Sequence, residues 1–124
     1  MTSIAAKCRN WHLILMLTCF LGMCTVRAKE NPRILIFSKT AGFYHQSIPK
    51  GIQAIQKLGV DFKFDTDTTR DARQINTENL KKYKAVDFLN TTGDILNDEQ
   101  QSAFESYIRS GGGFAGVHSA TDWE

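Results

Sequence analysis

Apolar and polar positions alternate in blocks along this chain, and the blocks change period. Arg33-Ile-Leu-Ile-Phe-Ser38 is a short continuous apolar run, bounded by Pro32 and a polar loop. Its brevity and β-branched content predict a strand buried on both faces. Ser47 is then a candidate N-cap, and Pro49 is tolerated in a first helical turn. Ile48, Ile52, Ile55 and Leu58 recur on one helical face, and Gly59 reads as the left-handed stop. Val60, Phe62 and Phe64 alternate with Asp61, Lys63 and Asp65, which predicts a half-buried strand near a sheet edge. The polar stretch from Thr66 to Asn76 has no period and reads as a loop. Asn76 or Thr77 starts a short helix through Leu80 and Tyr83. Ala85 to Asn90 is a third strand. Asn97, with Gln100 three residues on, is a capping-box pattern. Phe104, Tyr107 and Ile108 form the buried stripe of the next helix. Gly111 stops it, and Phe114 to Val117 is a fourth strand.

The order β-α-β-(α)-β-α-β implies parallel pairing through right-handed crossovers. The expected fold is therefore α/β, a three-layer flavodoxin-like sheet. In such a sheet ligands bind beyond the carboxyl ends of the strands. Polar residues concentrate in the three loops that share this edge. His45 lies in the first, Thr91-Thr92-Gly93-Asp94 in the second, and His118-Ser119-Ala120-Thr121-Asp122 in the third.

The first 28 residues stand apart from this pattern. Lys7 and Arg9 precede an apolar run from Leu13 to Cys24, too short to span a bilayer at ~20 residues. Val26-Arg27-Ala28 places small residues where a signal peptidase cuts. Residues 1–28 thus read as a secretory signal peptide and residues 29–124 as the folded domain. A secreted or periplasmic location is expected, with no membrane partner after cleavage. An uncleaved anchor, or a lipid on Cys24, are the competing readings. All three cysteines lie in the leader, so residues 29–124 carry no disulfide framework, thiolate nucleophile or cysteine metal site. The leader also holds Lys7, Arg9 and Arg27 of the 15 basic residues and none of the 13 acidic ones, leaving 12 − 13 = −1. No basic stripe with interleaved aromatics remains, which argues against nucleic acid as a partner.

Two patterns mislead. Gly111-x-Gly113-x-x-Gly116 matches the dinucleotide fingerprint, but a helix precedes it and a strand comes after, the reverse of what that motif needs. Asp65-Thr-Asp67-Thr-Thr-Arg70 lacks the third ligand, the glycine and the distal glutamate of a calcium loop. Asn90-Thr91-Thr92 fits the glycosylation pattern but sits at the end of a core strand.

Three ordered motifs resemble the ThuA-like (trehalose-utilisation) family. They are Ala41-Gly-Phe-Tyr-His45-Gln-Ser-Ile-Pro49, Asn90-Thr-Thr-Gly-Asp94, and Gly111-Gly-Gly-Phe-Ala-Gly-Val-His-Ser-Ala-Thr-Asp122. The resemblance implies a class I glutamine amidotransferase-like fold, a branch of the flavodoxin-like architecture, and a link to carbohydrate use. Exported members are described as secreted glycosyl hydrolases. It also implies a domain about twice as long as residues 29–124, so the chain reads as an N-terminal portion. Where glutamine amidotransferases carry a nucleophilic cysteine, Gly116-Val117-His118 occupies the turn. Without a thiol in residues 29–124, thiol-based glutamine hydrolysis is excluded.

The leading expectation is an enzyme acting on a small carbohydrate, a glycosyl hydrolase or a keto-sugar glycoside-processing enzyme. Histidine gains and loses a proton near neutrality, which suits general acid–base work. His118 is the candidate base, with His45 or Asp94 as its partner. Thr92, Gly93, Ser119, Asp122 and Trp123 are candidate sugar contacts. A carboxylate pair, Asp94 and Asp122, is the alternative for ordinary glycoside hydrolysis. No cofactor is identified. A divalent metal on His45, His118 and Asp122 stays open, as does a non-catalytic sugar-binding module of a larger exported protein. The leader reading has a direct check: intact mass of the exported protein is expected to begin at Lys29, and a mass retaining Met1 to Ala28 would mean an anchor.

Overall fold

A computed structural model describes residues 29–120. The leader and its cleavage site, and Thr121, Asp122 and Trp123, lie outside the described residues. Four strands form one parallel sheet: β1 (Arg33–Phe37), β2 (Asp65–Thr69), β3 (Ala85–Leu89) and β4 (Gly113–Val117), in the order β2-β1-β3-β4. Helix α1 (Ile48–Phe62) joins β1 to β2, α2 (Thr77–Leu80) precedes β3, and α3 (Asp98–Arg109) joins β3 to β4. The fold is α/β and flavodoxin-like.

Strand alternation divides the core between two faces. Leu35 and Phe37 of β1 and Val86 and Phe88 of β3 point to one side. There they pack with Ile75, Leu80, Ile95, Leu96 and Phe104. Phe88 lies 5.0 Å from Phe104 and 5.2 Å from Phe37, ring centre to ring centre. On the opposite face Leu89 packs against α1, where a Cβ at Gly51 would come within 3.0 Å of it. At the N-terminus of α3 the capping box closes as its sequence predicts. Asn97 Oδ1 accepts from the Gln100 amide at 2.9 Å, and Gln100 Oε1 accepts from the Asn97 amide at 3.0 Å. Asn76 caps α2 in the same way, accepting from the Asn79 amide. Gly111 ends α3 with φ +95°.

Three local expectations are corrected. Helix α1 does not stop at Gly59 but runs to Phe62, and Lys63 takes the left-handed cap at φ 62°. Gly59 is instead a buried member of the helix stripe Ile48, Ile52, Ile55, Gly59. Its hydrogen is required because a Cβ would meet the Phe64 carbonyl oxygen at 2.6 Å. Val60 and Phe62 therefore belong to a helix and are exposed, as is Leu58. The second strand is the polar Asp65-Thr-Asp-Thr-Thr69, read from sequence as loop. An edge strand needs only one paired side, and threonine's branched Cβ suits the pleat. Asp67 also bonds the Tyr83 hydroxyl at 2.9 Å and Arg33 at 2.8 Å. Finally, Ser47 sits at the cap of α1 without a capping hydrogen bond from its side chain.

Asp87 lies in the middle of β3, 6% exposed, and its Oδ1 is buried without a partner. Burial raises its carboxyl above the ordinary value. A carboxyl raised on folding contributes stability fully below its unfolded pKa of about 3.9 and loses it as pH climbs through the folded value. Near neutrality the ionised group therefore costs stability. Asp87→Asn, which cannot ionise, is expected to raise the melting temperature at pH 7 by roughly 5 °C and to give no gain at pH 4. Thermal unfolding followed by circular dichroism at both pH values checks this; an equal shift at both would mean that ionisation is not the cause.

Candidate functional site at the carboxyl edge of the sheet

The loop after β1 must cross the end of β3 to reach β4, because β3 lies between them. Thr92 is the crossing point. Thr40 and Thr92 form an isolated parallel bridge just beyond the β1·β3 pairing. The Thr92 carbonyl accepts from the amides of Ala41 at 2.8 Å and Gly42 at 3.2 Å. Its hydroxyl donates to the Phe43 carbonyl at 2.8 Å. With Thr92 5% exposed, water competes poorly for these bonds.

This clamp carries His45 over to His118. The two imidazoles meet edge to face, ring centres 4.7 Å apart. The Phe43 ring stands 4.9 Å from His45, also edge on. Ser119 Oγ is 3.5 Å from His45 Nε2, the outer limit of a hydrogen bond. His45 is half-buried and His118 exposed, so one ring is held while the other faces solvent.

Backbone strain is concentrated at the same edge. Asn90 (φ 52°) and His118 (φ 60°) are both left-handed without being glycine. Each is the first residue past its strand, and the Asn90 amide donates to the Val117 carbonyl at 3.1 Å. Such a conformation costs a β-carbon residue about 1–2 kcal/mol. After His118 the chain doubles back and buries Ala120 in the core. Gly116 permits that return, since a Cβ there would lie 2.9 Å from the Ala120 Cβ.

The candidate residues do not all converge. His45, His118, Ser119 and Thr92 come together, and Gly93 underlies them by packing on Ala41 and Gly42. Asp94 is exposed and lines a separate cavity with Lys39 and Arg70. Asp122 and Trp123 lie outside the described residues. Phe43 and Asn90 also belong to the site; both lie in the ThuA-like motifs, but sequence pattern assigns neither of them a role. Phe43 reads from sequence as one more loop residue, and nothing in a strand-end asparagine announces a left-handed backbone. Among the described residues, no group of three or more histidine, cysteine, aspartate or glutamate side chains is placed to hold a metal ion.

The class this defines is a parallel flavodoxin-like sheet with a polar carboxyl edge and a left-handed histidine just past its fourth strand. The family model for ThuA, trehalose utilisation, matches residues 33–124, and the chain belongs to that family. A crystal structure of a ThuA-like protein from Bacteroides uniformis superposes with a TM-score of 0.61 at 24% identity, over 80% of this chain and 41% of that one. The chain thus spans less than half the length of that relative. No curated protein matches significantly.

The Gly93 backbone (φ +72°) holds the clamp from below, and a Cβ there would meet the Gly42 nitrogen at 3.1 Å and the Ala41 Cβ at 3.3 Å. Gly93→Ala is expected to destabilise the fold by about 1–3 kcal/mol. Hydrogen exchange should show the Ala41 and Gly42 amides losing protection first. Unchanged protection of those two amides would mean that Thr92 does not hold the loop.

Proposed function

We propose that this chain forms the histidine-bearing part of a carbohydrate-processing site, with His118 as general base and His45 as its partner. The observation that supports this reading is the edge-to-face pair at 4.7 Å, set beyond the strand ends with one ring exposed. The reaction this arrangement suits is cleavage of a keto-sugar glycoside. His118 takes the proton from the carbon beside the sugar carbonyl. The electron pair left behind forms a double bond to the anomeric carbon as its glycosidic C–O bond breaks. The departing oxygen collects a proton from an acid, for which His45 is the adjacent group. Ser119, beside His45, would orient that ring or hold a sugar hydroxyl, while Thr92, its own hydroxyl given to the Phe43 carbonyl, holds the loop that carries His45. Export through the leader fits an extracellular sugar substrate.

His118→Ala is expected to lower turnover of a 3-keto-glucoside by at least about a hundredfold, with sugar affinity and melting temperature nearly unchanged. His45→Ala should lower turnover less. Steady-state kinetics, calorimetry and thermal unfolding on the same variants separate the outcomes. Full activity in the His118 variant, or loss only through unfolding, would make this histidine structural. A wild-type protein that binds the sugar but never turns it over would make it a binding module.

A further inference from the structure

Segments brought beside one another by the β2-β1-β3 order form a second, basic feature at the carboxyl edge. Lys39 lies just past β1 and Arg70 just past β2. They line one cavity of about 440 Å³ together with Asp71, Arg73, Asp94 and Asn97. Arg70 also borders a neighbouring cavity of about 600 Å³ with Tyr44 and Ser38.

The charges here are unevenly spent. Asp71 is consumed by Arg73, whose Nε donates to both carboxylate oxygens at 3.0 Å and whose Nη2 donates at 2.8 Å. That grip holds the Asp71 carboxyl below its ordinary range. Lys39 and Arg70 have no carboxylate within 4.0 Å among the described residues. Lys39 Nζ gives one bond to the Ile95 carbonyl at 3.0 Å, which fixes its position and leaves two protons free. Arg70 lies with its guanidinium carbon 5.2 Å from the Tyr44 ring centre. Stacking occupies the face of a guanidinium and leaves its N–H edge available for a planar or tetrahedral oxyanion. Asp71, paired to Arg73, and Asp94 line the same cavity, so Lys39 and Arg70 leave it with an excess of positive charge, as an anionic ligand requires.

We propose that the cavity between Lys39 and Arg70 binds the oxyanion, phosphate or carboxylate, of a sugar-sized ligand. This site stands apart from the histidine pair and does not depend on its chemistry. Asp94 on the rim opposes the anion and sets its affinity.

Isothermal titration of the full chain with inorganic phosphate tests the site, with glucose 6-phosphate, glucuronate and glucose as arms. Phosphate is expected to bind, and Arg70→Gln and Lys39→Met should each weaken it by at least about tenfold. Asp94→Asn should strengthen it several-fold. Glucose 6-phosphate binding more tightly than glucose would identify a phosphorylated sugar, and glucuronate doing so a sugar acid. Arg70 is exposed, so its variant tests the site even if Lys39→Met fails to fold. No phosphate binding up to roughly 20 mM, or binding that ignores both variants, would overturn the proposal. His118→Ala should leave phosphate affinity unchanged, so failure here and failure of the histidine reading are distinct results.

Discussion

One threonine holds the functional edge together. The carbonyl of Thr92 receives two amides from the first loop, and its hydroxyl returns a bond to the same loop. Each bond contributes on the order of 1 kcal/mol net, about what ordering one residue's backbone costs. Three bonds across Ala41, Gly42 and Phe43 therefore roughly offset the entropy of fixing that stretch. The offset matters because strand order forces the loop to travel. Neighbouring strands lie about 4.8 Å apart, so a loop from β1 that touches the end of β4 must pass over β3. Unclamped, such a loop would sample many positions, and the 4.7 Å contact between His45 and His118 would be only one of them.

His118 reaches that contact by a different route. Its side chain is aimed by a left-handed backbone, and burial of Ala120 two residues on offsets the cost. Ala120 returns to the same core cluster as Val86 and Phe88, so the turn is anchored on both sides. Asn90 repeats the device one strand away, and its amide ties the end of β3 to the end of β4. Two strained residues on adjacent strands therefore share one hydrogen-bonded frame. Strain that persists in this way marks a place where side-chain direction matters more than local comfort.

How much of this is legible in the sequence depends on the range of the forces involved. Strands β1 and β3 are buried apolar runs, β4 is a short apolar run behind a glycine stop, and the α3 capping box spans four residues, so all have local patterns and are readable. The polar β2 is not, because its stability comes from pairing with β1 and from Arg33 and Tyr83, which lie far away in the chain. Gly59 misleads for the same reason. A glycine after a helical stripe ordinarily signals a stop, but here the Phe64 carbonyl requires the missing Cβ. The polar edge is legible because parallel topology alone gathers the loops there. Which residues touch is not legible, since contact depends on the order β2-β1-β3-β4, and local periodicity does not encode order.

The divergence of Thr92 and Asp94 shows how finely that edge is partitioned. The two residues are separated by a single glycine, yet one is buried in the clamp and the other stands at the basic cavity. Gly93 makes this possible. Its left-handed backbone (φ +72°) lies so close to the first loop that a Cβ there would meet the Gly42 nitrogen at 3.1 Å. A residue with a side chain would be strained at this φ and would crowd the loop that Thr92 clamps. With Asp94 just past this glycine, its carboxylate lies at the basic cavity beside Lys39 and Arg70, where a negative charge can tune what those two cations bind.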